Sequence, residues 1–264
     1  MKGWLVGLAL VVVLAASGVG LWATWDSTQT TSSADTVESS ERLITTTTTW
    51  RLRVTTTMPP PPACEIADDP VTSDPSADWA TTVIDTGRAL PSTFTPPDLV
   101  EVGEAGFDSR DQVRREVVAD LGALRAAAEA NGTPIVVISG YRSFDYQQNL
   151  FSRRVDEVGE AEATLRSARP GHSEHQLGTA VDVLDPAGGD LTTAFAATPA
   201  GIWVAEHAHE YGFVLSYPDG ARDRTCYEFE PWHLRYVGRD NAAAIHESGL
   251  TPREWMLARA DDAG

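Results

Sequence analysis

The stretch GHSEHQLGTAVDV, residues 171–183, holds the polar residues that decide how this chain is interpreted. Small residues in its middle let the backbone turn tightly, and TAVDV at its end has the composition of a strand. A strand over residues 179–183 would place Asp182 on one face and both valines on the other, where they enter the core. His175 precedes this strand, so it either binds something together with Asp182 or is an ordinary polar residue of a turn.

A second polar group lies in FEPWHLRYVG, residues 229–238. Its end, WHLRYV, alternates apolar and polar residues and predicts a strand that buries its apolar residues while His233 and Arg235 face outward. In a regular strand Glu230 and His233 would point to opposite faces, but a turn at Pro231 would bring both side chains to one site. An edge strand with ordinary surface charges is the alternative.

Together, the two stretches offer the donor types of a catalytic zinc site. Two histidines and one aspartate are a good ligand set for zinc, and three protein ligands leave a fourth position for water. His175, Asp182 and His233 would form this set, and a nearby carboxylate that is not a ligand, Glu230, would be the general base. Each pair of residues is weak evidence by itself, because exposed polar residues are the more common case.

The remaining periodicities predict a mixture of helices and strands. An apolar helical period runs from residue 109 to residue 130, and PIVVISG at residues 134–140 predicts a buried strand. Asp145 is the expected cap of a second helix. Further elements are predicted as a helix over residues 198–211, a strand over 213–217 and a last helix that opens with Thr251, Pro252 and Glu254. Because regular strand–helix–strand alternation is missing, we expect an α+β fold with a small antiparallel sheet flanked by helices.

The N-terminal residues differ in composition from the rest. Residues 4–23, WLVGLALVVVLAASGVGLWA, carry no charge and could form a helix of about 30 Å, the thickness of a bilayer core. We expect residues 1–25 to be a single-pass anchor in the cell membrane with an extracytoplasmic remainder, or a cleaved signal peptide in a secreted protein. Residues 26–63 are rich in Thr and Pro and predict a disordered stalk, which leaves residues 64–264 as the folded domain.

The charge balance excludes one class of partner. The 264 residues include 20 Lys and Arg against 38 Asp and Glu, for a formal net charge of −18. Such an acidic chain is not expected to bind the phosphate backbone of nucleic acids. The two cysteines, Cys64 and Cys226, are expected to form a disulfide, because the protein is expected to be exported.

Three stretches in this order, SGYRSFDYQQNLF, PGHSEHQLGTAVDV and EPWHLRYVG, resemble the zinc D-alanyl-D-alanine carboxypeptidases of the VanY type, peptidase family M15. Three ordered motifs with matching residue types are a much stronger signal than a single short motif. The resemblance covers roughly residues 80–240. It implies a small α+β domain whose antiparallel sheet carries the zinc, the zinc-peptidase fold of the Hedgehog and D-Ala-D-Ala peptidase kind.

The resemblance also implies a role for each matching residue. The zinc ligands would be His175, Asp182 and His233. Glu230 would take a proton from the attacking water and pass it to the leaving amine. Arg142 would steady the oxyanion or the terminal carboxylate of the substrate, because guanidinium groups grip carboxylates with two hydrogen bonds. The substrate cleft would be lined by Ser173 and Gln148, whereas His172 would be part of the cleft wall or of the surface.

We therefore expect a zinc metallocarboxypeptidase that removes a terminal D-alanine from peptidoglycan stem peptides, by D,D- or L,D-cleavage. We expect it to act as a monomer that touches the membrane only through its N-terminal helix. A peptidoglycan endopeptidase of the same fold is one alternative. A non-catalytic module that binds the cell wall is the other, and such a module would not need Glu230.

Overall fold

The computed structural model describes residues 63–75 and 78–262 of the chain. The predicted anchor, residues 1–25, and the predicted stalk, residues 26–63, lie outside the described residues except for residue 63. The division into anchor, stalk and folded domain therefore stays a prediction.

The prediction of a protein located in the cell membrane is contradicted by the helices of the described residues. None of these helices is both long and apolar enough to cross a bilayer. The longest of them, Arg115–Ala130, has 16 residues and carries charged side chains, whereas a span needs about 20 mostly apolar residues. The stretch that carried the prediction, residues 4–23, lies outside the described part of the chain.

The predicted α+β fold is confirmed. The helices are α1 Arg115–Ala130, α2 Phe144–Val158, α3 Glu160–Arg166, α4 Pro199–His207, α5 Arg222–Thr225, α6 Arg239–Ser248 and α7 Pro252–Asp262. The strands are β1 Val71–Thr72, β2 Arg88–Ala89, β3 Leu99–Glu101, β4 Gln112–Arg114, β5 Val136–Ser139, β6 Ala180–Leu184, β7 Phe213–Leu215 and β8 His233–Tyr236. Short 3-10 turns occupy Val102–Ala105, Glu174–Leu177, Thr193–Ala197 and Ala208–Tyr211.

The central sheet has four antiparallel strands in the order β5-β6-β8-β7. The two predicted motif strands, β6 and β8, are direct neighbours in this sheet, and Asp182 is paired with His233 across them. Val181, Val183 and Leu234 belong to the main hydrophobic core. Because side chains alternate along a strand, the same register that buries these apolar residues on one face collects Asp182 and His233 on the other.

Helix α1 packs against the core face of the sheet. Its buried residues are Val117, Leu121, Leu124 and Ala128, and they share the main core with the sheet valines. The helix begins at residue 115, not at residue 109 as predicted. The residues just before it form β4, which pairs with β3, so Val113 enters the core from a strand rather than from the helix.

Gly178 sets the approach to β6. It ends the 3-10 turn Glu174–Leu177 with a φ of 73°, a left-handed conformation that strains other residues. A Cβ at this position would lie 3.0 Å from side-chain atoms of both Arg114 and Leu99. The motif therefore requires glycine here, and the tight turn brings His175 close to the start of the strand.

The caps of three helices test the local predictions. Ser143, and not Asp145, caps α2, because the Ser143 hydroxyl accepts a hydrogen bond of 3.2 Å from the amide of the third helical residue. Asp145 lies within the first turn instead. The predicted cap at Thr198 is confirmed. The capping box before α7 is also confirmed, since Thr251 and Glu254 each accept from the backbone N–H of the other.

The predicted disulfide between Cys64 and Cys226 is confirmed. It joins two cysteines that are 162 residues apart in the chain, so it links the segment before β1 to the loop that follows α5. Four residues after Cys226 this loop reaches Glu230. A crosslink of this kind restricts the unfolded chain and holds the loop against the body of the domain.

Candidate metal centre

Three elements bring the predicted ligands together. Asp182 is the third residue of β6, His233 is the first residue of β8, and His175 lies in the 3-10 turn that leads into β6. All three are buried, with 1% to 3% of their surface exposed. Buried polar side chains need partners, and these three find them in each other.

The ligand atoms of the cluster converge on one carboxylate oxygen. Oδ1 of Asp182 lies 3.3 Å from Nε2 of His175 and 3.2 Å from Nδ1 of His233. One ligand atom from each of the three residues lies within 4.8 Å of the others, a spacing that could hold a single metal ion. The three residues that the sequence motifs predicted as ligands are therefore in one place.

The far nitrogen of each imidazole has its own partner. Nδ1 of His175 lies 2.7 Å from the carbonyl oxygen of Gly140, and Nε2 of His233 lies 2.9 Å from Oε2 of Glu174. Both partners only accept hydrogen bonds when Glu174 is ionised, so each ring must place a proton on its far nitrogen. In the neutral rings the near nitrogens then carry lone pairs that face Asp182, an arrangement that a cation between them would stabilise.

The protonation of His175 also fits a metal ligand. Burial lowers the pKa of His175, and the positive charge of Arg142 acts in the same direction, although Asp182 opposes both. A histidine with a lowered pKa is neutral at neutral pH, which is the form that binds metal ions. The residues present therefore fit a zinc ion, with two imidazoles and one carboxylate as donors.

Arg142 orients the carboxylate of the cluster. One of its Nη atoms donates to Oδ2 of Asp182, and its Nε donates to the hydroxyl of Ser139 at 2.9 Å. This contact occupies the outer oxygen of Asp182 and leaves Oδ1 facing the two histidines. The side chain of Arg142 is 16% exposed, so part of it reaches the solvent, whereas the side chain of Asp182 is buried.

Glu230 lies beside the cluster, where the turn at Pro231 was predicted to bring it. The amide of His233 donates to the carbonyl of Glu230 at 3.1 Å, which closes this turn. Oε2 of Glu230 lies 3.9 Å from Nδ1 of His233, and 20% of the Glu230 side chain is exposed. Desolvation raises the pKa of Glu230 to about 7, against the opposing charge of His233. A carboxylate with this pKa can both accept and return a proton near neutral pH.

Comparisons with known proteins agree with this geometry. A model of the family described as "VanY: D-alanyl-D-alanine carboxypeptidase" matches residues 110–239. The structure of the LdcB LD-carboxypeptidase is 34% identical, with a TM-score of 0.63, and the match covers 74% of this chain and 92% of LdcB. This chain belongs to the VanY family. The structure of a vancomycin-resistance D,D-pentapeptidase VanY in complex with Zn(II) is 28% identical, with a TM-score of 0.59 and coverage of 68% of this chain and 99% of that one.

A curated relative gives the same family relationship over a shorter share of its length. YodJ from Bacillus subtilis (strain 168) is 41% identical over 173 residues, which are 64% of this chain and 63% of YodJ. This VanY-family chain thus spans less than two thirds of the length of YodJ.

The other predicted site residues of this VanY-family chain occupy different environments. Ser173 is buried next to the 3-10 turn that carries His175. Gln148 is exposed on α2, whereas its neighbour Gln147 is buried and donates to the carbonyl of Ala168 at 2.7 Å. The cleft roles of Ser173 and Gln148 stay predictions. His172 is not at the surface: it is buried, and its Nδ1 lies 2.6 Å from the carbonyl oxygen of Asp85.

Two residues of the site were missed or misplaced by the sequence analysis. Glu174 was not singled out, although its carboxylate contacts the ring of His233. Arg235 was expected to face outward, but only 1% of it is exposed. The outward face of β8 is covered by backbone from the segment around Thr82, and Arg235 donates to that carbonyl at 2.6 Å. The sequence did contain a signal for the position of Arg235. Residues two apart on a strand share a face, so Arg235 was expected on the same face as His233, next to the predicted site.

The contact between Glu174 and His233 shifts the pKa values of both groups. Desolvation alone would raise the pKa of Glu174, but the charge of Arg235 and the hydrogen bond with His233 lower it to about 2. Desolvation would lower the pKa of His233, but its hydrogen bonds with Asp182 and Glu174 outweigh this effect and raise it to about 10. The two carboxylates on either side of this ring therefore make the cluster strongly attractive for positive charge.

Proposed function

We propose that this chain is a zinc-dependent metallocarboxypeptidase that removes a terminal D-alanine from peptidoglycan stem peptides. Membership of the VanY family supports the reaction class. The zinc complex of a VanY neighbour and the LD-carboxypeptidase activity in the name of LdcB support the metal and the substrate class.

One observation carries the proposal: the carboxylate of Glu230 lies next to a cluster of side-chain atoms that could hold a metal ion. The near nitrogens of His175 and His233 face Oδ1 of Asp182, and the carboxylate of Glu230 lies 3.9 Å from the ring of His233. A protein that only bound the cell wall would not need a carboxylate beside these ligand atoms.

The proposed ligands and the proposed base divide the chemistry. When bound by His175, Asp182 and His233, zinc would supply Lewis acidity and lower the pKa of water to about 7. Glu230 accepts a proton from the water whose oxygen attacks the carbonyl carbon of the scissile bond. As the carbon–nitrogen bond breaks, Glu230 returns this proton to the amine nitrogen of the departing D-alanine, so the carboxylate ends in its starting state.

Arg142 is proposed to act on the negative charge of the substrate. Two of its five N–H donors are directed at Asp182 and Ser139, which holds the guanidinium in place at the edge of the cluster. The remaining donors can stabilise either the oxyanion or the terminal carboxylate of the peptide. Ser173 and Gln148 are proposed to line the cleft on the strength of the motif alone.

The family leaves two cleavage types open for this chain. LdcB is named for L,D-cleavage and the VanY neighbour for D,D-cleavage, and an endopeptidase with the same fold would use the same ligands and base. We propose a carboxypeptidase because Arg142 places a positive charge beside the cluster, where a free carboxylate would be recognised.

The test is a comparison of Glu230→Gln with Glu228→Gln in the full chain loaded with zinc. Both variants neutralise a glutamate of the same loop, but Glu228 is half exposed and pairs with Arg222. We expect Glu230→Gln to lower turnover of defined tetrapeptide and pentapeptide stems by about 10²–10⁴, the usual contribution of a general acid–base. Zinc content should remain at the parental level in both variants, and Glu228→Gln should keep the parental rate.

Mass spectrometry of the products separates the alternatives. Loss of D-alanine from the pentapeptide indicates D,D-cleavage, and loss from the tetrapeptide indicates L,D-cleavage. Cleavage inside the stem without loss of the terminal residue would overturn the carboxypeptidase proposal. An unchanged turnover in Glu230→Gln would overturn the proposed base.

A further inference from the structure

Glu174 lies behind His233, on the side of the ring that faces away from the proposed metal position. Its Oε2 lies 2.9 Å from Nε2 of His233 and accepts a hydrogen bond of 2.6 Å from the hydroxyl of Ser216. Its Oε1 accepts from an Nη atom of Arg235 at 2.8 Å. All four residues are buried, so this carboxylate is held by three donors with little solvent around them.

Arg235 is itself fixed by the backbone. Its second Nη atom donates to the carbonyl oxygens of Thr82, Trp79 and Ala80, at 2.6, 3.2 and 3.3 Å. A guanidinium with this many acceptors has little freedom to rotate, because its donors lie in a rigid plane. The segment of Trp79, Ala80 and Thr82 thus holds Arg235, and Arg235 in turn holds the carboxylate of Glu174.

We propose that Glu174 is the positioning residue that fixes His233 as an Nδ1 ligand. A neutral imidazole carries one proton, and an ionised carboxylate accepts hydrogen bonds but does not donate them. In the neutral form of His233, which is the form that binds metal ions, the proton therefore stays on Nε2, next to Glu174, and the lone pair of Nδ1 is directed at Oδ1 of Asp182. Glu174 acts only through His233, and the inference rests on the proposed metal site.

The first measurement is the zinc affinity of Glu174→Gln in the full chain. Glutamine has nearly the same shape, but one of the two acceptor oxygens becomes an NH₂ group, which donates hydrogen bonds. The side chain can then no longer accept from all three donors, His233, Ser216 and Arg235. We expect zinc to bind about 10–100-fold more weakly, which is the usual effect of removing a partner of a metal-bound histidine. Competition with a chromophoric chelator measures this affinity without any substrate.

Asp85→Asn is the matched control. Asp85 is also a buried carboxylate held by an arginine, with its Oδ2 at 2.8 Å from Nε of Arg253. Its replacement removes a buried charge of the same type, so it should lower the free energy of unfolding in a similar way to Glu174→Gln. Because Asp85 does not hold a proposed ligand through its side chain, zinc affinity should stay parental. A purely structural role for Glu174 would make the two variants alike in both measurements.

The outcomes separate this inference from the proposed function. If the parental chain binds no zinc, the proposed function fails. If the parent binds zinc and Glu174→Gln binds it equally tightly, only the inference is overturned. Should Glu174→Gln fail to fold, Ser216→Ala replaces it, because this variant keeps the carboxylate and removes one of its three donors. We expect about tenfold weaker zinc binding in a folded Ser216→Ala, and parental affinity in that variant would also overturn the inference.

Discussion

Two glutamate–histidine contacts in this molecule have the same length and opposite surroundings. Glu174 and His233 approach to 2.9 Å, with 7% and 3% of their side chains exposed. Glu210 and His207 also approach to 2.9 Å, but 52% and 38% of their side chains are exposed. The distance is therefore uninformative by itself. Screening by water makes an exposed pair weak, whereas a buried pair with further donors is strong and costly to break.

The two pairs should differ most in zinc binding and turnover when the histidine of each pair is removed. His233→Ala deletes one of three proposed ligands, so we expect zinc binding to be lost and turnover of stem peptides to fall to that of the chelator-treated parent. His207→Ala should keep both at the parental level, because His207 lies on the surface at the end of α4. Zinc content and product release measure the two effects in the same samples. Full zinc occupancy in His233→Ala would contradict the assigned ligand set.

The sequence predicted the position of His233 and the sheet that carries it. The strand prediction over residues 179–183 was correct because Val181 and Val183 alternate with Asp182, and this pattern fixes which face enters the core. The three ordered motifs then indicated the proposed ligands, and the fold brings these three residues together. These parts were predictable because they depend on local alternation and on residue types whose chemistry is restricted.

The support of the site was not predictable in the same way. Arg235 was expected to face water because alternation tells which residues share a face, not what covers that face. The cover comes from residues around Thr82, more than 150 positions earlier in the chain, and it contacts Arg235 through backbone carbonyls that any residue provides. The prediction of the cap of α2 was wrong for a related reason. Ser143 and Asp145 are both good capping residues, and only the backbone conformation decides between them.

The second expected difference concerns acid pH. The pKa of Glu174 falls from its ordinary value of 4.5 to about 2 in the folded chain. Desolvation would raise this pKa, but the charge of Arg235 and the hydrogen bond with His233 outweigh that effect. A carboxyl group with a lowered pKa stabilises the fold above its ordinary pKa, and this stabilisation is lost as the pH falls toward the folded value. In the presence of a chelator, the gap in unfolding free energy between the parent and Glu174→Gln should therefore narrow between pH 4.5 and pH 2.

Urea denaturation at several pH values measures this gap, and Glu210→Gln is the control. The hydrogen bond with His207 also lowers the pKa of Glu210, but the group is exposed, so solvent screens its contribution. The curves of Glu210→Gln and the parent should run close together over the whole range. A gap for Glu174→Gln that stays constant down to pH 2 would mean that the charge of Glu174 does not stabilise the fold.

The smallest effect is expected when the exposed pair is broken at its carboxylate. Glu210→Ala removes the acceptor of His207, and exposed ion pairs typically contribute about 0.2–1 kcal/mol. Because salt screens exposed charges, even this loss of unfolding free energy should shrink when the salt concentration is raised from about 0.1 M to about 1 M. Zinc affinity and turnover should not change. A loss of several kcal/mol, or a loss that does not depend on salt, would show that the exposed pair stabilises the fold as strongly as Glu174 and His233 do. Burial would then no longer explain the difference between the two regions.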